Sequence, residues 1–111
     1  MKYYQVKIII DKKNTNRYKN TNTDIVKYDI DRKTLMDNII VPFIKDQEFN
    51  YKGALFSNDD IWKLTVLESD ISHDAFVASP TLKQEYFWNW VVSSNHGRDV
   101  TNELFSEVRQ M

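Results

Sequence analysis

The stretch from Asp31 to Ser69 constrains the fold of this chain more than any other part of the sequence. Its apolar residues recur first at helical spacing and then at strand spacing, and Gly53 lies between the two patterns. The two patterns differ in period, so they belong to different types of secondary structure. The stretch therefore predicts a helix, then a tight hairpin, then a long strand.

The predicted helix begins after Asp31, whose carboxylate can accept backbone N–H bonds as an N-cap. Its apolar residues recur at i, i+4 and i+8 in two neighbouring rows, Leu35, Ile39 and Phe43 beside Met36, Ile40 and Ile44. A band this broad predicts a helix that covers one face of a sheet. Pro42 lacks an N–H group and costs roughly 3 kcal/mol in a helix interior, so we expect a kink there or a helix end near Val41.

The hairpin and the long strand follow, with an apolar period of two. Phe49 and Tyr51 alternate with polar residues, and Gly53 can take the positive φ that a tight hairpin needs. Asn58 can cap a short turn before the long strand, which ends at Glu68. That strand contains two alternating sets of residues, Trp62, Leu64 and Val66 on one side and Lys63, Thr65 and Leu67 on the other.

Two further strands are predicted before this stretch. Apolar residues at alternate positions mark them, with Tyr4, Val6, Ile8 and Ile10 in the first strand and Val26, Tyr28 and Ile30 in the second. Ile9 adds an apolar side chain on the other face of the first strand, which indicates a central position in the sheet. The polar segment 12–23 most simply joins the two strands as a hairpin.

Helical signals return after the long strand. Ser72 can cap a short turn, and Ser79 followed by Pro80 is typical of the start of a helix. The apolar residues of this second predicted helix are Leu82, Tyr86, Phe87, Trp90 and Val91. Thr101 can cap a last helix with Leu104, Phe105 and Val108 on one side. The order of elements predicts one α+β domain over residues 1–111, with a mixed or mainly antiparallel sheet of about four to five strands and helices packed on one face.

Composition argues against several classes of protein. A chain of 111 residues forms one domain, and its 15 basic and 16 acidic residues are too nearly balanced for a dedicated nucleic-acid binder. The absence of cysteine excludes disulfides, thiolate metal sites and cysteine nucleophiles. No apolar run approaches the roughly 18 residues of a membrane helix, so we expect a soluble cytoplasmic protein without a membrane partner.

Several short segments occur in a fixed order along the chain: KYYQVKIII, then IIVPF after Leu35, then a phenylalanine hairpin at Gly53, then DDIWKLTVLESD, and finally GRDVTNELF. Together they resemble the N-terminal accessory domain of predicted bacterial defence proteins whose C-terminal half is a Toll/interleukin-1-receptor-like nucleotide-binding domain. The resemblance covers nearly the whole chain and implies a sensing or partner-binding role. In those proteins an effector domain follows the DVT segment, whereas six residues follow Phe105 here, so no nucleotide-hydrolysing activity and no catalytic residue is carried over.

The aromatic segment 86–90 is the strongest candidate for binding another protein, because Tyr and Trp are favoured anchors of interfaces. Two of its residues, Trp88 and Trp90, lie about 200° apart around a helix, so both cannot face one core. We expect one of them, or Tyr86, to face the surface or to pack under the last helix. The polar turn NHGRD, residues 95–99, follows this segment. It can bind a carboxylate or phosphate, or can simply join two helices. The predicted partner-binding residues are Tyr86, Trp88, Trp90, His96 and Arg98.

A basic loop offers a second candidate site, since it combines cations with one aromatic ring that could stack on a base of single-stranded nucleic acid. Its residues are Lys12, Lys13, Arg17, Tyr18 and Lys19. A single ring is little for stacking, and the remainder of the chain is net acidic and would oppose a polyanion. A solvated hairpin loop is the alternative interpretation.

The run Glu68, Asp70, His73 and Asp74 contains oxygen and imidazole ligands but matches no defined metal loop, so we predict no metal and no cofactor. The two histidines, His73 and His96, have no triad-like context, and catalysis requires an activated nucleophile or a positioned acid and base. We therefore predict a non-enzymatic protein-interaction or sensing domain related to bacterial anti-phage defence. Two alternatives stay open: a small phage or mobile-element inhibitor of a host defence protein, and a weak nucleic-acid-binding module using the 12–23 loop.

Overall fold

The structure is a computed structural model that describes residues 2–10, 24–79 and 86–110. Its strands are β1 (Tyr3–Ile10), β2 (Asp24–Ile30), β3 (Phe49–Tyr51), β4 (Ala54–Phe56), β5 (Ile61–Ser69) and β6 (Gly97–Asp99). Its α-helices are α1 (Arg32–Leu35), α2 (Val41–Ile44), α3 (His73–Ala78), α4 (Phe87–Ser93) and α5 (Thr101–Arg109). A π-helical turn (Met36–Ile40) joins α1 to α2, and a 3-10 turn (Asn58–Asp60) precedes β5.

The main sheet has four antiparallel strands in the order β2-β1-β5-β6. Strand β1 lies between β2 and β5, which confirms its predicted central position, and β1 and β2 pair directly as predicted. Opposite residues on β1 and β5 include Val6 with Val66 and Ile8 with Leu64. The α+β class and the predicted antiparallel sheet are therefore confirmed.

The helical segment 32–44 begins as predicted, because the Asp31 carboxylate accepts the Thr34 N–H at 3.0 Å. The segment does not end near Val41, since α2 continues to Ile44 with Pro42 in its first turn. The irregularity instead precedes the proline, where the Val41 N–H bonds back to the Met36 carbonyl in the wider π-helical turn. Pro42 has no N–H to donate and its ring crowds the preceding turn, which accounts for a local change of helix geometry there.

The hairpin β3–β4 is confirmed, with Lys52 and Gly53 in its turn at φ +52° and +83°. Positive φ at both positions matches the right-handed twist of the two strands. The cap before β5 differs from the prediction: Ser57 takes the N-cap position, and its N–H donates to the Asp60 carboxylate at 2.9 Å. Asn58 instead donates from its side-chain amide to the Phe43 carbonyl at 2.8 Å, which ties this turn to the end of α2.

Apolar side chains are buried on both faces of the sheet. Val66 and Leu67 are adjacent in β5 and therefore point to opposite faces, and both are buried. The first core lies under the 32–44 segment, the β3–β4 hairpin and α5, and includes Val6, Ile8, Leu64, Val66, Leu35, Ile39, Ile40, Tyr51, Phe56, Leu104 and Val108. The second core contains Leu67, Phe76, Phe87, Trp88, Trp90 and Val91. The prediction of helices on one face thus describes the first core, and α3 and α4 add a second layer against the other face.

The C-terminal part differs from the prediction in three places. Val100 rather than Thr101 is the N-cap of α5, and Thr101 Oγ1 instead accepts the Val66 N–H. Tyr86 has an extended backbone and is the N-cap of α4, so the helix that carries the tryptophans begins at Phe87. The predicted start at Pro80 and the apolar Leu82 lie outside the described residues. The polar segment 95–99 was predicted to be a turn that binds an anion or joins two helices; it lies between α4 and α5, and its residues Gly97–Asp99 form the short edge strand β6. None of the described helices is long and apolar enough to cross a membrane.

Candidate functional site

The second core is an aromatic cluster built on α4. Phe87 and Trp90 lie one helical turn apart and both contact Phe76 of α3, with ring centroids 5.0 and 5.1 Å away. Tyr28 of β2 meets Phe87 edge-on at 5.7 Å and stacks on His73 at 3.8 Å. Edge-on and offset ring pairs contribute about 0.5–1.5 kcal/mol each beyond their buried area, so the rings hold α3 and α4 firmly against the sheet.

Both tryptophans of the predicted partner-binding set are buried, with 7% of Trp88 and 8% of Trp90 exposed. They do point in different directions, but each has its own cover. The Lys7 ammonium of β1 lies 4.5 Å from the centroid of the Trp88 ring, and His96 stacks on Trp90 at 4.6 Å. Both belong to the second core, so the prediction that they cannot face one core was wrong, because neighbours from the sheet and from the turn before β6 cover the two sides of α4. The prediction that one of the two tryptophans or Tyr86 faces the surface is confirmed by Tyr86. Helix α5 packs in the first core and covers neither ring.

Tyr86 is half exposed and lies at the start of α4. Its hydroxyl is 3.5 Å from the Tyr28 hydroxyl, and the Lys7 ammonium is 6.0 Å from its ring. Burial, and next the Tyr86 hydroxyl, raise the pKa of Tyr28. Two more apolar side chains on the outer surfaces of α3 and α4, Val77 and Val92, are also about half exposed. Tyr86, Val77 and Val92 form what we call the outer helical surface.

His96 and Arg98 belong to a polar edge beside β6. The His96 Nδ1 lies 3.1 Å from Asp70 Oδ1, and the Asp70 N–H donates to the His96 carbonyl at 2.9 Å. The Arg98 guanidinium pairs with the Glu103 carboxylate and lowers the pKa of that carboxyl. Arg98 is also 3.7 Å from the Glu68 carboxylate. Arg98 is therefore already engaged with carboxylates of its own chain.

The acidic run considered as a metal site is dispersed in the structure. Glu68 accepts the Tyr4 hydroxyl at 3.1 Å, and Asp70 pairs with His96. His73 stacks on Tyr28 and heads α3 beside Asp74. Among the described residues no group of three or more potential metal ligands comes together. The basic loop residues Lys12, Lys13, Arg17, Tyr18 and Lys19 lie outside the described residues.

The sequence interpretation missed one exposed aromatic residue, Trp62, which has 68% of its surface accessible. It was predicted to share a face with Leu64 and Val66, but the pairing of β1 with β5 shifts there, from Ile9 opposite Lys63 to Ile10 opposite Ile61. Trp62 is the extra residue of this β-bulge and leaves the alternation. Nothing in the alternating pattern marks the bulge, because an apolar residue at position 62 also fits a regular strand.

Comparison with protein-family models, with curated proteins and with solved structures finds no match to this chain.

Proposed function

We propose that this domain is a non-enzymatic protein-interaction or sensing domain related to bacterial anti-phage defence, and that it binds its partner through the outer helical surface. The observation that carries the proposal is the half-exposed Tyr86 at the start of α4. The aromatic rings beneath it are buried and packed on the sheet, so the position of Tyr86 is fixed before a partner arrives. An exposed aromatic side chain on a rigid support loses little conformational entropy on binding.

The defence setting comes from the resemblance of the sequence segments described above. The alternative of a phage-encoded inhibitor would use the same surface and differs only in the partner it binds. In both cases Trp88 and Trp90 act as the support of the surface, and Tyr86 and Val92 make the contacts. His96 and Arg98 lie at the polar end of this layer. To contact the partner, they exchange their ion pairs with Asp70 and Glu103 for groups of the partner.

The test is a pull-down from extracts of the source cell with the tagged full chain, read by mass spectrometry. Tyr86→Ser and Val92→Ser remove exposed apolar contacts, whereas Asn89→Ser changes an exposed polar residue of the same helix. We expect one protein to be retained by the wild type and by Asn89→Ser and to be lost from Tyr86→Ser. All three variants should keep the wild-type Tm, because each substituted residue is exposed. Equal capture by all variants, or no specific capture by the wild type, would contradict the proposal.

A further inference from the structure

The two outer edges of the main sheet are protected to different degrees. On β2, the Lys52 ammonium donates to the Val26 carbonyl at 3.0 Å, and a bulge with Asp29 at φ +56° interrupts the edge. Side-chain caps and bulges of this kind prevent a further strand from adding to a sheet. On β5, the short strand β6 pairs only with Leu67, Glu68 and Ser69. The first half of β5 has no neighbouring strand on that side among the described residues.

The backbone of Leu64 faces this open edge. Val66 lies two residues further along β5. Its N–H donates to Thr101 Oγ1 at 2.8 Å and its carbonyl accepts the Val100 N–H at 3.0 Å. Both backbone groups of Val66 therefore point away from β1. Residues two apart in a strand share this direction, so the N–H and carbonyl of Leu64 point the same way. Within the described part of the chain they have no hydrogen-bond partner.

A groove of about 520 Å³ runs along this edge, between β5 and the first turn of α5. Leu64 and Phe105 are the apolar side chains that line the groove, and Lys63 and Asp99 are charged side chains at its rim. The Asp99 carboxylate already accepts the Thr101 N–H at 2.9 Å. Lys63, by contrast, is exposed and forms no ion pair with the described residues. Glu103 also lines the groove, and its carboxylate pairs with Arg98. The groove thus combines free backbone groups, two apolar side chains, a lysine without an ion pair and the Asp99 carboxylate at the rim.

We propose that the open edge of β5, residues 61–65, binds an extended segment of the partner protein as an added strand. Backbone hydrogen bonds to Leu64 hold the segment, since an exposed sheet edge recognises backbone groups. Successive side chains of a strand point to opposite faces, so the segment carries an apolar residue beside Leu64 and Phe105 and, directly next to it, a carboxylate beside Lys63. This inference rests on the proposed function, because it names the kind of segment that a partner would supply.

A second copy of this chain fits the edge less well than a peptide segment does. Five strand residues span only about 17 Å, and a stable interface needs about 800 Å² from each partner. Pairing of two β5 edges would also bring the Lys63 ammonium groups of both copies to neighbouring positions of one sheet, where like charges repel. A single extended segment has neither problem, and its carboxylate compensates Lys63.

The test selects binders from a displayed library of short random peptides, with the full chain as bait. We expect the selected peptides to contain a carboxylate next to an apolar residue. Methylation of the peptide amide that faces Leu64 should weaken binding about tenfold, because it removes one backbone hydrogen bond. Lys63→Glu should weaken binding by about as much, whereas Lys45→Glu, at another exposed lysine, should leave Kd unchanged. Amide exchange of Leu64 should slow on addition of a selected peptide.

Three results would overturn the assignment. The first is the absence of enriched peptides, or peptides that tolerate methylation of every backbone amide. The second is a Leu64 amide that is protected in the free monomer, which would mean that segment 11–23 or another part of the chain covers the edge. The third is protection of the Leu64 amide from exchange that rises with protein concentration, which would mean that a second copy of the chain covers the edge. Capture of a cellular partner that depends on Tyr86 but not on Lys63 would leave the proposed function intact and refute only the edge site.

Discussion

Tyr51 of β3 anchors the hairpin on the main sheet through one buried hydroxyl. That hydroxyl lies 2.9 Å from the Val6 carbonyl of β1 and 2.9 Å from the Ile25 carbonyl of β2. Only 1% of the Tyr51 surface is exposed, so water does not replace these contacts. A buried carbonyl that loses its donor costs more than the lost hydrogen bond itself.

Tyr51→Phe removes the hydroxyl and keeps the ring. We expect the free energy of unfolding to fall by about 1–3 kcal/mol, because the Val6 and Ile25 carbonyls lose the single hydroxyl proton that they share, and the contact with Val6 is buried. Urea denaturation monitored by circular dichroism measures the change. Tyr3→Phe is the matched control, since Tyr3 is partly exposed and its hydroxyl has no hydrogen bond to a described residue, and it should change stability by less than about 0.5 kcal/mol. Equal effects of the two substitutions would contradict the assigned role of the Tyr51 hydroxyl.

Gly97 is needed in β6 because of close packing. A Cβ at this position would lie 2.2 Å from the Glu68 carbonyl oxygen of β5 and 2.5 Å from Val91 Cγ1 of α4. Gly97→Ala should therefore lower the free energy of unfolding by about 1–3 kcal/mol, the usual cost of overpacking. Adding Val91→Ala should not restore stability, because the contact with the Glu68 backbone remains. Recovery of the wild-type Tm in the double variant would show that the side-chain contact alone is limiting.

At the level of elements, Asp29 connects the end of β2 to the start of α3. Its carboxylate accepts the His73 N–H at 2.7 Å and the Asp74 N–H at 3.2 Å, while Ser72 caps the Ala75 N–H at 3.1 Å. These are backbone donors of the first helical turn, which have no partner inside the helix. Asp29 therefore fixes the place of α3, and through Phe76 the place of α4, on the sheet.

Asp29→Gly tests this connection without adding strain, because glycine accepts the φ of +56° at no cost. We expect a loss of about 1 kcal/mol of unfolding free energy, typical of a lost cap, and faster amide exchange at His73 and Asp74. Asp46→Gly is the control, because Asp46 has φ +58° and its carboxylate makes no hydrogen bond to the described residues. If both substitutions have the same effect, strain relief rather than capping governs the position.

Local sequence signals predicted those elements whose residues are in contact within the same segment. The Asp31 cap, the turn at Gly53 and the alternation of β1 all depend on neighbours a few residues away. The π-helical turn was not predicted, because a proline shows that the helix must adapt but not which turn changes. The open edge of β5 was not predicted either, because it depends on how far a short, exposed strand at 97–99 extends.

The burial of Trp88 and Trp90 shows the same limit for the candidate site. The angle between them on α4 correctly indicates that they point in different directions. Their cover comes from Lys7 and His96, which are distant in sequence and belong to other elements. Helical spacing within one segment carries no information about such partners. Of the predicted partner-binding residues, Tyr86, His96 and Arg98 remain accessible, and the additional surface at Trp62 appears only once β1 and β5 are paired.

For the whole molecule, the first core buries Tyr4 and Tyr51 and the second partly buries Tyr28, and this makes stability sensitive to alkaline pH. Burial raises the pKa of Tyr51, of Tyr28 and of Tyr4, in the last case together with the hydrogen bond to Glu68. An unfolded tyrosine releases its proton near pH 10. Above that pH the unfolded chain therefore binds fewer protons than the folded chain, and the stabilisation present below pH 10 is lost as pH rises.

We expect the free energy of unfolding to be constant from about pH 7 to 9 and to fall above about pH 10, with a slope of at most about 1.4 kcal/mol per pH unit for each retained proton. Urea denaturation across this range measures the slope. Tyr51→Phe should show a shallower slope than the wild type, because one buried phenol no longer contributes. The exposed Lys33, whose pKa is raised by Asp37, adds a decline of the same sign to both proteins and cancels in the comparison. Identical slopes for the two proteins would mean that Tyr51 has the same pKa in the folded chain as in the unfolded chain. That result would contradict the structure, in which the Tyr51 hydroxyl is buried against the carbonyls of β1 and β2.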